Sequence, residues 1–236
     1  MYGWRGRLGL IVPSSNTTNE PEFERHLPEG VSLHTARMFL EDTNAEHLEE
    51  MAAEAERSAE LLATADVDVV AYGCTTGSLV KGPGYDEEIE SRLSEVAGVP
   101  AVATATAIKR AFDALDIERL AITTPYVQDL NEREEDFLTA AGYEVTDMTG
   151  LGIEPNTGIG EQRQETAYRE AYGLDASGAD GVFISCTNYR TFEIIENLEA
   201  DLGKPIVTSN QATLWNALRE MGVDYSEVEL GQLFSQ

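Results

Sequence analysis

Lysine is almost missing from this chain: only Lys81, Lys109 and Lys204 occur in 236 residues. All basic side chains together number 16 against 43 Asp plus Glu, a formal net charge of −27. Such a surface repels a phosphate backbone, which excludes nucleic acid as a partner. Histidine is scarce as well, and His26, His34 and His47 stand apart with no CxxC or HExxH spacing, so no metal site is expected. No apolar run approaches the roughly 18 residues that a membrane span needs, and no basic-then-apolar leader opens the chain. The expectation is a cytoplasmic protein without membrane contact. The stretch "GPGYDEE" at 82–88 has the glycines of a phosphate loop but lacks the Lys-Ser/Thr ending, and its acids repel phosphate. No nucleotide cofactor is implied.

Acidic, lysine-poor surfaces resemble those of proteins that work in concentrated salt, where counterions relieve self-repulsion. A halophilic protein is therefore expected. Raising KCl from about 0.1 M toward molar should lift the thermal midpoint by roughly 5 °C or more, the shift that about 2 kcal/mol produces at this size. A midpoint indifferent to salt would contradict this reading of the charge.

Cysteine is rare too, and two is too few for a disulfide framework. Cys74 in "AYGCTTGSL" and Cys186 in "FISCTNYRT" each follow a short apolar run and precede threonine and polar residues. They are 112 residues apart, and the same offset relates "RLGLIVP" at 7–13 to "RLAITTP" at 119–125. "GVPAVATATAIKRAFDAL" and "GKPIVTSNQATLWNAL" match likewise. The chain is a duplication.

Short runs rich in Val, Ile and Thr at 7–13, 32–39, 67–73, 100–105, 119–125, 143–149, 181–185 and 205–209 read as strands. Between them lie helical stretches such as 43–65, 85–97, 127–141, 161–177 and 190–202. Strands that are continuously apolar suit sheets covered on both faces. The expected fold is α/β, in two pseudo-symmetric Rossmann-like halves, each with a four-stranded parallel sheet. The halves are expected at 1–108 and 109–236, with a C-terminal helix at 211–236 packing back on the first. Ligands of such sheets bind beyond the carboxyl ends of the strands, where both cysteines fall. Two thiols would then face one cleft between the halves from opposite walls. The alternative use of each is as a small buried hydrophobe.

The stretches "GRLGLIVPSSNTTNEPEF", "YGCTTGSL", "TTPY" and "SCTNYRT" resemble the Asp/Glu racemase superfamily, and within it the branch of maleate cis-trans isomerase and arylmalonate decarboxylase. The likeness covers nearly the whole chain. It implies two similar α/β halves, an active site between them and no cofactor. Cys74 falls where the isomerases carry their nucleophile and Cys186 where they carry a second cysteine; the decarboxylases lack the first. Asn16, Tyr126 and Asn156 fall where that group holds its substrate, and Ser14 shares the loop of Asn16. Each also has an ordinary use, as a turn residue or as packing at a strand end.

A dicarboxylate needs donors at both ends. Amides of Thr75, Thr76 and Gly77, and of Thr187 and Asn188, are expected at helix N-termini facing the cleft. The side chains of Asn16, Asn156 and Tyr126 add uncharged donors for an enediolate. The leading expectation is cofactor-independent conversion of maleate, or a close dicarboxylate, to fumarate: Cys74 thiolate adds, the bond rotates, and elimination follows. Cys186 acts as acid, base or shield. Two alternatives remain open on the motifs: an aspartate- or glutamate-type racemase with both cysteines as an acid–base pair, and an arylmalonate-type decarboxylase or silent small-acid binder. The sequence is compatible with a homo-oligomer.

Overall fold

The computed structural model describes residues 2–40 and 45–236. The first half runs β1 (Gly6–Pro13), α1 (Asn19–His26), β2 (Val31–Met38), α2 (Ala45–Ala63), β3 (Val69–Tyr72), α3 (Thr75–Leu79), α4 (Tyr85–Ala97), β4 (Ala101–Ala103) and α5 (Thr104–Ala114). The second repeats the theme with β5 (Arg119–Thr124), α6 (Gln128–Ala140), β6 (Glu144–Gly150), α7 (Asn156–Gly160), α8 (Gln164–Gly173), β7 (Gly181–Ile184), α9 (Ile195–Leu202), β8 (Ile206–Thr208) and α10 (Ser209–Glu220). The first two residues of the helix expected at 43–65 lie outside the described residues, as does the side chain of His47.

Each half builds a four-stranded sheet, in the orders β2-β1-β3-β4 and β6-β5-β7-β8, and every pairing is parallel. The repeat seen in the sequence is therefore a repeat of topology. Central strands are buried throughout: Val69, Val70, Ala71 and Tyr72 in β3, and Gly181 to Ile184 in β7. Their unbroken apolar runs follow from helices lying on both faces. The edge strands β2 and β6 are half-buried, which explains why polar residues interrupt them.

Two sequence expectations need correction. The division between residues 108 and 109 falls inside α5, which has no breaker until Leu115 and Asp116, the latter at φ 54°. We place the passage between halves at 115–118. The helix expected over 211–236 is α10, which starts earlier, at Ser209, and stops at Glu220 because Gly222 turns the chain at φ +64°. Thr208 caps α10 through the Gln211 amide, and Gln211 returns a bond to the Thr208 amide.

The last helix of each half packs on the other half. α10 lies against α5 and against β3 and β4, while α5 touches β8. Thr213 donates to Thr104 across 3.0 Å, and Arg110 to Asn216 across 2.8 Å. Every residue of α10 from Ser209 to Leu218 is buried, with Trp215 fully enclosed. A helix buried all round belongs to a common core.

Candidate active site

The strand β3 delivers Cys74. Beyond Tyr72 the chain stays extended through Cys74 (φ −149°, ψ 111°) and then turns into α3, so the cysteine is the N-cap of that helix. Its sulfur accepts from the Gly77 amide at 3.3 Å and lies 3.9 Å from Thr76 Oγ1. The amide expected to favour thiolate is thus present. Burial nevertheless dominates and pushes the Cys74 thiol up to about 11, against the lowering action of Gly77 and Thr76. The free protein holds a thiol.

Cys186 is presented differently. It follows β7 by two residues and sits at φ +90°, a region that L-residues with a side chain rarely occupy and that costs about 1–3 kcal/mol. The surroundings hold it there: its amide donates to Ser209 Oγ at 3.0 Å, and the Asn188 amide donates to its sulfur at 3.3 Å. The Tyr126 phenol is buried near the same sulfur. Burial raises this thiol to about 12, Tyr126 and Asn188 lower it, and charge on Cys74 raises it again. The two sulfurs therefore sense each other. The helix N-terminus expected at Thr187 and Asn188 is absent, because the positive φ throws the chain off the helical path into a turn, and Asn188 alone presents its amide to the sulfur.

Around the thiols, uncharged side chains tie the halves together. Asn16 Nδ2 donates to Thr187 Oγ1 at 3.2 Å, and Thr187 Oγ1 donates to the Gly73 carbonyl at 3.1 Å. Thr75 Oγ1 reaches Ser209 Oγ at 2.9 Å. Asn188 Nδ2 donates to the Asn156 carbonyl at 2.7 Å, and Asn156 Nδ2 to Ser15 Oγ at 2.8 Å. Asn16 also performs its ordinary turn duty, its Oδ1 accepting the Thr18 and Asn19 amides. Asn16, Thr75, Thr76, Tyr126, Asn156, Thr187 and Asn188 are all buried at the strand ends. Ser14 stands apart: it is exposed, and its hydroxyl accepts the Leu40 amide at 3.0 Å. Its neighbour Ser15 is the serine that joins the ring.

Four buried residues escape the motif reading. Ser209 joins Thr75 to the Cys186 amide, and Asn210 Nδ2 bonds both the Thr187 carbonyl and Glu22 Oε2. Glu22 also accepts the Thr191 and Phe192 amides on Oε1. Glu134 accepts from Ser185 Oγ at 2.7 Å, while its Oε2 has no partner. Burial raises both carboxyls to about 7. The signal for the pair was in the chain: "NEPE" at 19–22 and "NERE" at 131–134 share the offset of 112 residues that relates the cysteines. Among the described residues no cluster of His, Cys, Asp and Glu could hold a metal ion, and no helix is long and apolar enough to cross a membrane.

Comparison with known proteins agrees with this architecture. A family profile described as arylmalonate decarboxylase matches residues 8–234. A maleate isomerase of Geobacillus stearothermophilus is 31% identical over 243 residues, covering 97% of both chains. A crystal structure of a maleate isomerase variant from Pseudomonas putida S16 with maleate superimposes with a TM-score of 0.94 at 28% identity, covering 98% of this chain and 97% of that one. A Nocardia farcinica maleate cis-trans isomerase, in a Cys-to-Ser variant with a covalently bound succinylcysteine intermediate, gives 0.92 at 30% identity over 97% and 98%. Two parallel α/β units joined at their strand ends, matched from end to end by these proteins, place the chain in the arylmalonate decarboxylase family.

Proposed function

We propose that this protein is a cofactor-independent maleate cis-trans isomerase in which Cys74 is the nucleophile. The observation that carries the reading is the pair of buried thiols at equivalent strand ends, Cys74 capped by the Gly77 amide and Cys186 held by Ser209 and Asn188. Cys74 first gives up its thiol proton to solvent; the thiolate then adds to one alkene carbon and the C=C π electrons move onto the neighbouring carboxylate as an enediolate. Amide and phenol donors of Asn16, Asn156 and Tyr126 are the groups that stabilise that charge. Cys186 protonates the second carbon, rotation about the new single bond follows, and loss of that carbon's proton expels Cys74 as fumarate forms. One proton enters and one leaves per turnover. The succinylcysteine of the Nocardia relative supports the scheme, since a succinyl group is the saturated adduct that such a protonation yields.

A racemase needs a carboxylate to seat the substrate ammonium group. Of the buried carboxyls described here, Glu134 lies behind Ser185 and Glu22 behind Asn210, and burial raises both to about 7. The decarboxylase reading is disfavoured by Cys74, which the resemblance associates with the isomerases. Proton NMR in D₂O with maleate, and with D- and L-aspartate and glutamate in parallel, tests the choice. Maleate should be consumed to fumarate while both amino acids keep their configuration. Inert maleate together with deuterium at an inverted α-carbon would establish the racemase instead.

A further inference from the structure

Glu134 has no place in the scheme above, yet it is among the least exposed acids of the molecule, with only 1% of its surface accessible. It projects from α6 toward the end of β7, where Ser185 Oγ meets its Oε1 at 2.7 Å and nothing meets Oε2. Ser185 immediately precedes Cys186 beyond the end of β7. The bonded pair Glu134–Ser185 therefore connects a buried carboxyl to the residue next to a thiol of the site. Its counterpart Glu22, raised to about the same value by burial, has both oxygens occupied, by two amides and by Asn210, whereas Glu134 keeps one oxygen without a partner.

The charges facing Glu134 give no relief. From the strand ends come Tyr126 and Cys186, both of which feel its charge as repulsion. The helix α3, packed on α6, carries no titratable side chain, and β6 offers Glu144 and Asp147. Arg133 of α6 is on the exposed face, paired with Asp129, and Lys109, which lies over the Phe137 ring, is held by Asp86 and Glu87. A dicarboxylate would add two negative charges beside this group in a site lined by uncharged donors.

Resting on the reading under Proposed function, we propose that Glu134 is the residue through which the site accommodates a doubly negative ligand. It takes up a proton when the dicarboxylate binds, and through Ser185 its protonation state sets the charge felt at the adjacent Cys186. Glu134 is thus a positioning residue that couples proton uptake to substrate. With a carboxyl that titrates at about 7 in the free protein, uptake is expected at about pH 8, where the free group is mostly ionised, and is absent at about pH 5.5.

The test is calorimetric titration with succinate, which cannot isomerise, in buffers of different ionisation enthalpy. Wild type should absorb most of one proton per succinate at about pH 8 and almost none at about pH 5.5. Glu134→Gln, which keeps an acceptor for Ser185, should bind without uptake at either pH. Its affinity should match wild type at the lower pH and exceed it by roughly tenfold near pH 8. A residue that only filled space would shift affinity equally at both. Succinate binding to wild type without proton uptake, or full uptake persisting in Glu134→Gln, overturns the role of Glu134 alone. No succinate binding at all overturns the dicarboxylate reading and this proposal with it. Wild type that binds succinate without proton uptake overturns the role even if the variant fails to fold.

Discussion

Replacing Cys74 by alanine is expected to abolish maleate turnover, a loss of at least about 10⁴-fold, while the protein stays folded. The reasoning is chemical: without sulfur no adduct forms, and the remaining donors can only hold the substrate. Folding survives because the Cys74 side chain contributes one weak bond from the Gly77 amide, and that amide still belongs to α3. Affinity for succinate should change by less than about tenfold, which separates lost chemistry from lost binding. The raised thiol adds a second readout. With the group at about 11, alkylation of free Cys74 by iodoacetamide should speed up about tenfold per pH unit between about pH 7 and 10, and Cys74→Ala should show none of that labelling. Turnover within tenfold of wild type would remove the covalent step altogether.

Replacing Cys186 by serine should lower the rate by about 10²- to 10⁴-fold and change what accumulates. Serine keeps the size, and water can supply the proton that forms the adduct, but a hydroxyl that is not ionised at ordinary pH is too weak a base to recover a proton from it. Elimination becomes the slow step. Maleate should then leave a covalent succinyl adduct on Cys74, visible as a mass increase on the intact protein that is lost in the double variant Cys74→Ala/Cys186→Ser. A rate equal to wild type would reduce Cys186 to a packing residue. The strained φ of +90° sharpens the expectation, because such a conformation is retained where a side chain must be aimed.

The fold was legible because both halves state it independently. "RLGLIVP" and "RLAITTP" became β1 and β5, the centres of two identically ordered sheets, and the eight apolar runs map onto the eight strands. Both cysteines were locatable because strand ends follow from the runs that precede them. What local pattern could not show is what depends on distant chain. Ser209 and Asn210 look like the opening of an ordinary helix, and only the fold carries them to Thr75 and Thr187. The turn after Cys186 is tied by the bond that its amide donates to Ser209, 23 residues on, so helix propensity at Thr187 had no vote. Glu134 reads as one more acid on an acidic helix, since sequence distance hides Ser185 from it. Ser14 and Ser15 are indistinguishable as letters, and the turn that follows β1 decides which one meets Asn156.

The mutual exchange of α5 and α10 has a bearing on how this molecule can be made. During synthesis the first sheet emerges complete, yet β3 and β4 lack the helix that covers them until residues 209–220 leave the ribosome. The first half must therefore wait, with apolar surface uncovered, for nearly the last segment of the chain.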